Sequence, residues 1–372
     1  MGGQQIIVTS YNKVEVDDFF ESYNVKKIFL VCGKFVDKLE IGIYFEKLGK
    51  RKNIQIVKFS NFQSNPSYES VVEGIQLYRK EGCDMIIAVG GGSAMDIAKC
   101  IKLFLYMDDS KNYLNQKIIP NDVKLVAVPT TAGTGSEATH FAVIYFMGEK
   151  QTISDYSCIP SMVLLDASTL KTLPDYQRKV TMLDAFCHAI ESFWSVNSTD
   201  ESKTYSKEAI RLILKNKELY LANNETGNKN MLYAANLAGK AINIAQTTAG
   251  HAMCYKLTTL YGIAHGHAAA LCVEKLWRYM VTCTEKCIDP RGSGYLINVF
   301  NEIADTMNCQ TAIKASENFS DFLREMNLWV PSINNEGEFE ILKHSINVVR
   351  LKNNPIELDD LTIDYLYHSI LK

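Results

Sequence analysis

In the first half of the chain, apolar residues come in short unbroken runs that end at glycine or turn residues. KKIFLVCG (26–33), DMIIAVGGG (84–92), VKLVAVPTT (123–131) and MVLLD (162–166) are such runs, and NIQIVKF (53–59) reads as a further strand. Runs of this length without polar alternation suit strands buried on both faces of a parallel sheet. Between them lie segments with apolar residues at helical spacing: 35–51, 64–82, with a start signal at Ser64 to Pro66 and a stop at Gly82, and 93–106. The alternation predicts an α/β domain with a mostly parallel, doubly wound sheet, whose ligands lie beyond the carboxyl ends of the strands. After Pro174 the pattern becomes helical almost throughout, as in VTMLDAFCHAIESFW (180–194), SKEAIRLILK (206–215), KNMLYAANLAGKAINIAQ (229–246) and YLINVFNEIADTM (295–307). Two domains are therefore expected, α/β over 1–174 and all-α over 175–372, with a ligand site in a cleft between them.

Composition narrows the function. Of 372 residues, 47% are hydrophobic and 22% charged, as in ordinary globular proteins. The net charge of −3 gives no electrostatic case for nucleic acid or an anionic membrane. No basic stretch leads into an apolar one at the amino terminus, and no apolar run approaches a membrane span, so a cytoplasmic protein is expected. Ten cysteines without a CxxC pair read as buried free thiols; Cys283 and Cys287 share a helix face if that segment is helical.

Two turns and one cluster carry candidate chemistry. Gly90, Gly91 and Gly92 close a strand, and Ser93 is placed to cap the helix after it. Such a turn lets backbone approach a phosphate at a helix N-terminus, although it has neither the GxGxxG nor the Walker spacing. Asp96 falls near the start of that helix. A second turn, Pro129 to Glu137, is dense in hydroxyls and glycines; Thr130 and Thr131 are candidate nucleotide contacts, with Thr134 or Ser136 a possible helix cap. The cluster is Asp184, His188, His251 and His265. Four residues apart, Asp184 and His188 project from one helix face, and one carboxylate with three imidazoles is a donor set for a borderline divalent metal. His267 and His140 are candidates for the same cleft, while His344 and His368 read as surface groups.

GGGSAMD, PTTAGTGSEAT and the spaced set DAFCHAIE…GHAMCYKLTTLYGIAHGH together resemble the iron-containing (group III) alcohol dehydrogenases, over nearly the whole chain. The resemblance implies a dehydroquinate synthase-like architecture, with a dinucleotide-binding α/β domain followed by a helical metal domain. It implies four metal ligands, Asp184, His188, His251 and His265, for Fe2+ with Zn2+ as the alternative. Gly91, Gly92, Ser93, Asp96, Thr130, Thr131 and Lys150 match dinucleotide-contacting positions, and Asn65 is added as a candidate contact. Many members carry an Asp after the strand at 26–32 that bonds the ribose of NAD. Gly33 followed by Lys34 stands there, which favours NADP(H) over NAD(H).

Where members often have HxxxH, this chain has His251 and Tyr255, so Tyr255 is the candidate proton relay. The stretch 249–272 resembles the phosphonoacetaldehyde reductases in particular, and Lys256 and His267 are the groups expected to meet a phosphonate. The expected activity is metal-assisted hydride transfer between NAD(P)H and a small aldehyde, in a homodimer. A generic butanol- or propanediol-type dehydrogenase and a non-catalytic metal- or nucleotide-binding protein are the alternatives.

Overall fold

The structure is a computed structural model that describes residues 4–9 and 14–371. Part of the amino-terminal stretch read for a targeting signal lies outside the described residues. The chain forms two compact units, Met1–Leu173 with Ala222–Asn236, and Pro174–Leu221 with Leu237–Lys372.

In the first unit the strands are β1 (Gln5–Thr9), β2 (Lys27–Cys32), β3 (Gln55–Phe59), β4 (Met85–Gly90), β5 (Lys124–Pro129), β6 (Phe141–Phe146), β7 (Glu149–Ser154) and β8 (Met162–Asp166). Its helices are α1 (Val14–Ser22), α2 (Glu40–Lys52), α3 (Tyr68–Glu81) and α4 (Gly92–Phe104). Six strands form one sheet in the order β1-β8-β5-β4-β2-β3, every pair parallel. Residues 85–89 of β4, 125–129 of β5 and all of β8 are buried, as their unbroken apolar sequences predict. The strand order reverses between β2 and β4. That switch point brings Gly33 and the Gly90–Gly92 turn side by side at the carboxyl ends, where such sheets bind their ligands.

Three features depart from the sequence reading. The edge strand β1 is a five-residue element in a short polar-flanked stretch, which periodicity does not separate from a loop. Strands β6 and β7 form an antiparallel hairpin through Met147 and Gly148, both at positive φ (52° and 81°). This is the backbone of a tight hairpin turn, reached without the usual Asn-Gly pair. Helix α3 is capped by Ser67, whose Oγ accepts from the Ser70 amide, not by a residue of Ser64 to Pro66.

The second unit is helical: α5 (Asp175–Trp194), α6 (Asp200–Leu221), α7 (Glu225–Ala245), α8 (Ala249–Tyr261), α9 (His265–Thr282), α10 (Ser293–Thr306), α11 (Ala312–Glu325), α12 (Gly337–His344), α13 (Val348–Leu351) and α14 (Asp360–Ile370). The start of α7 is assigned to the first unit, although the sequence placed it wholly with the helical half. Polar ties explain this. Asn223 Nδ2 donates to the Lys171 carbonyl at 2.9 Å, and Asn236 Nδ2 to Glu137 at 3.2 Å.

Each of the ten cysteines is a thiol and not half of a disulfide, and seven are buried. Cys283 and Cys287 do not share a helix face, because α9 ends at Thr282 and a short 3-10 turn separates them. Among the described residues, no helix is long and apolar enough to cross a membrane.

Candidate metal centre and nucleotide turns

Helix α5 carries Asp184 and His188 on one buried face, α8 supplies His251 from its first turn, and His265 opens α9. Two glycines let these helices close on one another. A Cβ on Gly266 would stand 2.1 Å from the Val180 carbonyl oxygen and 2.7 Å from Asp184 Cβ. A Cβ on Gly250 would meet Val273 Cγ2 at 2.5 Å and Glu191 Oε1 at 3.0 Å. Each glycine adjoins a histidine of the cluster, so the bare backbone beside His251 and His265 sets the approach to α5.

The four side chains converge. Asp184 Oδ1 lies 3.6 Å from His251 Nε2 and 3.9 Å from both His188 Nε2 and His265 Nε2. Ligand atoms of Asp184, His188 and His251 all lie within 4.8 Å of one another, and all three residues are buried. His265 is the more open member, its side chain 38% exposed. A tetrahedral shell with bonds of about 2.0–2.2 Å has edges of about 3.3–3.6 Å, slightly inside the spacing seen.

Asp184 Oδ1 and His251 Nε2 are buried with no hydrogen-bond partner. An acceptor and a ring nitrogen facing each other unsatisfied carry a large desolvation cost unless a cation sits between them. The donor set therefore fits a divalent transition metal. Burial would raise the Asp184 carboxyl, but His188, His251 and His265 around it hold it well below the usual carboxylate range. Burial would likewise lower His251, and the Glu191 and Asp184 carboxylates outweigh it, raising the imidazole to about 9.

Glu191 is the residue that sequence reasoning missed. It is fully buried, seven positions after Asp184 and three after His188, hence on the same face of α5. Its Oε2 meets His251 Nδ1 in a short contact. Its Oε1 accepts from the Thr248 amide at 3.1 Å, the Thr248 hydroxyl at 2.7 Å and the His251 amide at 3.3 Å. The 184/188/191 spacing was a legible signal.

The other expected residues of this unit divide. Tyr255 stacks on His265, with ring centroids 5.6 Å apart and planes at 16°. Lys256 is half-buried on α8 and has no ion pair among the described residues. His267 does not join the cluster. It is fully buried, its Nδ1 lies 3.2 Å from the Tyr176 hydroxyl, its ring meets Trp329 edge-on, and burial lowers its pKa. Arg350, not foreseen, is half-buried, donates to Gln246 Oε1 at 2.9 Å and acts electrostatically on the Tyr255 phenol. His344 is exposed, while His368 stacks on Phe339 at 3.7 Å.

In the first unit, the glycine turn leads into α4 with Gly91 as its N-cap; Ser93 lies within the first turn and does not cap it. The two turns pack together. Thr130 N donates to the Gly90 carbonyl at 3.0 Å, and side chains at Gly91 or Gly92 would meet Thr131 at 3.2 Å or Thr134 at 3.1 Å. Ser136 begins a short 3-10 turn, and its amide donates to the Thr134 hydroxyl.

Asp96 accepts from the Ser136 hydroxyl at 2.9 Å, and burial of its carboxylate pushes its pKa up to about 6 against the pull of Lys99 and Ser136. Lys150 is a further cation acting on Asp96. Lys150 also pairs across the hairpin with Tyr145, whose amide donates to the Pro66 carbonyl, so the Asn65 turn is tied to the same hairpin.

Lys99, fully buried, was also missed. Its ammonium donates to Ser136 Oγ, Thr139 Oγ1 and the Phe141 carbonyl at 3.1, 3.0 and 2.9 Å. It fastens α4 to the hydroxyl-rich turn. At the end of β2, Gly33 faces open space and Lys34 is exposed. His140 stacks on Tyr156.

Comparison with known proteins agrees in both units. The profile of iron-containing alcohol dehydrogenases matches residues 4–167, and that of the C-terminal region of the Fe-containing alcohol dehydrogenase family matches 179–371. Aldehyde-alcohol dehydrogenase 2 of Entamoeba histolytica is 31% identical over 288 residues, 70% of this chain but only 33% of that longer protein. The 1,3-propanediol dehydrogenase of Citrobacter freundii is 33% identical over 71% of this chain and 70% of its own length. The phosphonoacetaldehyde reductase of Streptomyces viridochromogenes is 29% identical over 78% of this chain and 77% of its own. Among solved structures, sulfoacetaldehyde reductase from Bifidobacterium kashiwanohense in complex with NAD+ aligns with a TM-score of 0.88 at 25% identity, covering 99% of this chain and 96% of that one.

Proposed function

Because the chain belongs to the iron-containing alcohol dehydrogenase family, we propose that it interconverts a small aldehyde and its primary alcohol, above all reducing phosphonoacetaldehyde to 2-hydroxyethylphosphonate. The observation that carries the oxidoreductase reading is the convergence of Asp184, His188, His251 and His265 on a point where two buried polar atoms lack partners. These residues would hold a ferrous ion, or zinc, which polarises the carbonyl oxygen, while the nicotinamide supplies the hydride.

The residues of this chain supply the rest. The reduction consumes one hydride and one proton per aldehyde. Tyr255, stacked on His265, is the proton donor in this reading: burial pushes its phenol up, so it carries its proton at neutral pH. Lys256 and Arg350 supply positive charge on the Tyr255 side for an anionic substrate tail. Similarity to a phosphonoacetaldehyde reductase, and in structure to an enzyme named for another acid-bearing aldehyde, supports that choice. His267 serves as packing, given its burial against Tyr176 and Trp329.

In the first unit, Gly91, Gly92 and Ser93 would face the coenzyme phosphates, with Asp96, Thr130, Thr131, Lys150 and Asn65 around them. The open space at Gly33 beside exposed Lys34 favours NADPH, since no carboxylate stands there to repel a 2′-phosphate.

The test is NADPH and NADH oxidation by anaerobically prepared, iron-loaded protein, with phosphonoacetaldehyde and butyraldehyde in parallel. The reading expects a higher kcat/KM for phosphonoacetaldehyde, and a loss in Lys256→Ala confined to that substrate. Equal use of butyraldehyde, with Lys256→Ala affecting both alike, would replace it with a generic short-chain alcohol dehydrogenase, which the similarity to a propanediol dehydrogenase favours.

A further inference from the structure

Imidazole has two nitrogens, and only one that carries no hydrogen can bind a metal. His251 directs Nε2 at the cluster, where it faces Asp184 Oδ1 at 3.6 Å. It directs Nδ1 at Glu191. A carboxylate only accepts, so Glu191 selects the form of His251 with hydrogen on Nδ1 and a lone pair on Nε2.

The carboxylate itself is locked. Its other oxygen, Oε1, takes three donors: the Thr248 amide, the Thr248 hydroxyl and the His251 amide. The Thr248 hydroxyl in turn accepts from Trp194 Nε1 at 2.9 Å, which leaves its own hydrogen for Glu191. Gly250 leaves the space in which this carboxylate sits, since a Cβ there would stand 3.0 Å from Oε1.

We propose that Glu191, held by Thr248 and Trp194, is the positioning residue that fixes the tautomer and ring orientation of His251 and so sets the metal affinity of the site. This rests on the metal reading of Asp184, His188, His251 and His265. It adds a fifth residue that touches neither metal nor substrate.

The network makes an unusual prediction for the near-isosteric change Glu191→Gln. The amide oxygen must stay where the three donors converge. The amide nitrogen then points at His251 Nδ1 and donates to it. Nδ1 becomes the acceptor, the hydrogen moves to Nε2, and the nitrogen facing the cluster loses its lone pair. An outer contact of this kind typically sets metal affinity within about 10–100-fold, and a wrong tautomer should reach the upper part of that range. Thr248→Val removes one of the three donors and leaves the carboxylate, so a smaller loss is expected.

The experiment uses the full chain, wild type and both variants. Zn2+ and Fe2+ affinities are read by competition with a chelator, and imidazole 15N shifts of the metal-free proteins, recorded at a pH at which the ring is neutral, report the His251 tautomer. The inference expects wild-type His251 with hydrogen on Nδ1, Glu191→Gln with hydrogen on Nε2, and metal affinity falling about 10–100-fold with circular dichroism unchanged. Unchanged affinity and tautomer in Glu191→Gln would overturn it, as would a tautomer switch that leaves affinity intact. If Glu191→Gln fails to fold, Thr248→Val decides: wild-type affinity there overturns the inference, and a several-fold loss upholds it. A wild-type protein that binds neither metal would instead refute the metal reading itself.

Discussion

The candidate metal cluster and the candidate nucleotide turns are built by opposite means. In the helical unit, side chains make the site: four ligand-type residues on three helices meet at distances of 3.6–3.9 Å, and glycines beside two of them let the helices close. In the α/β unit, backbone makes the site: two turns at the strand ends lean on each other, and side chains such as Lys99 and Ser136 serve to hold the turns. A site made of side chains fails outright when one ligand is lost. A site made of backbone degrades by degrees, because each fastening contributes only a part of its shape.

The sharpest way to break this contrast is Asp184→Ala. Turnover and metal retention should fall by more than the roughly 10–100-fold that an outer contact costs, measured by metal analysis and aldehyde-dependent NADPH oxidation. Gly266→Ala comes next, with every ligand in place but α9 forced off α5. We expect about 1–3 kcal/mol of destabilisation from overpacking, read by urea unfolding, together with weakened metal binding.

Lys99→Met tests the other side. It leaves the buried Ser136 and Thr139 hydroxyl oxygens and the part-buried Phe141 carbonyl short of a donor, at about 1–3 kcal/mol in stability. NADPH affinity should weaken while metal affinity stays at the wild-type value, as calorimetry of both ligands would show. A change confined to metal binding would overturn the division of labour between the units.

Gly33→Asp is milder. A carboxylate beside the ribose should shift preference from NADPH toward NADH by about tenfold, or about 1.4 kcal/mol, read as the ratio of kcat/KM values.

The last test reads pH dependence. The fold raises Asp96 from 3.8 to about 6, so the fold favours its neutral form. The stability from that form is complete below pH 3.8 and lost as pH rises through about 6. Asp96→Asn, neutral throughout, should flatten the unfolding free energy over that window.

The same contrast explains what the sequence made legible. Asp184 and His188 announce themselves by residue type and four-residue spacing, and the parallel strands by unbroken apolar runs such as MIIAVG. Glu191 was within reach, one further step along the same helix face, but an acidic residue in a helix is ordinary until its partner is known. Lys99 was not within reach, because its acceptors lie 37–42 positions away across a turn. The place of His267 follows from Tyr176 and Trp329, which no local pattern connects to it. The β6–β7 hairpin was hidden because its Met147–Gly148 turn lacks the residues that usually mark one.

The central claim is that Asp184, His188, His251 and His265 together form one catalytic metal site. Anaerobic titration of metal-free protein with Fe2+, with bound metal and NADPH-dependent aldehyde reduction followed in the same samples, tests it most directly. The account predicts saturation at one ion per chain, with activity rising in step with occupancy. Full activity without metal, or metal uptake unchanged in Asp184→Ala, would contradict it.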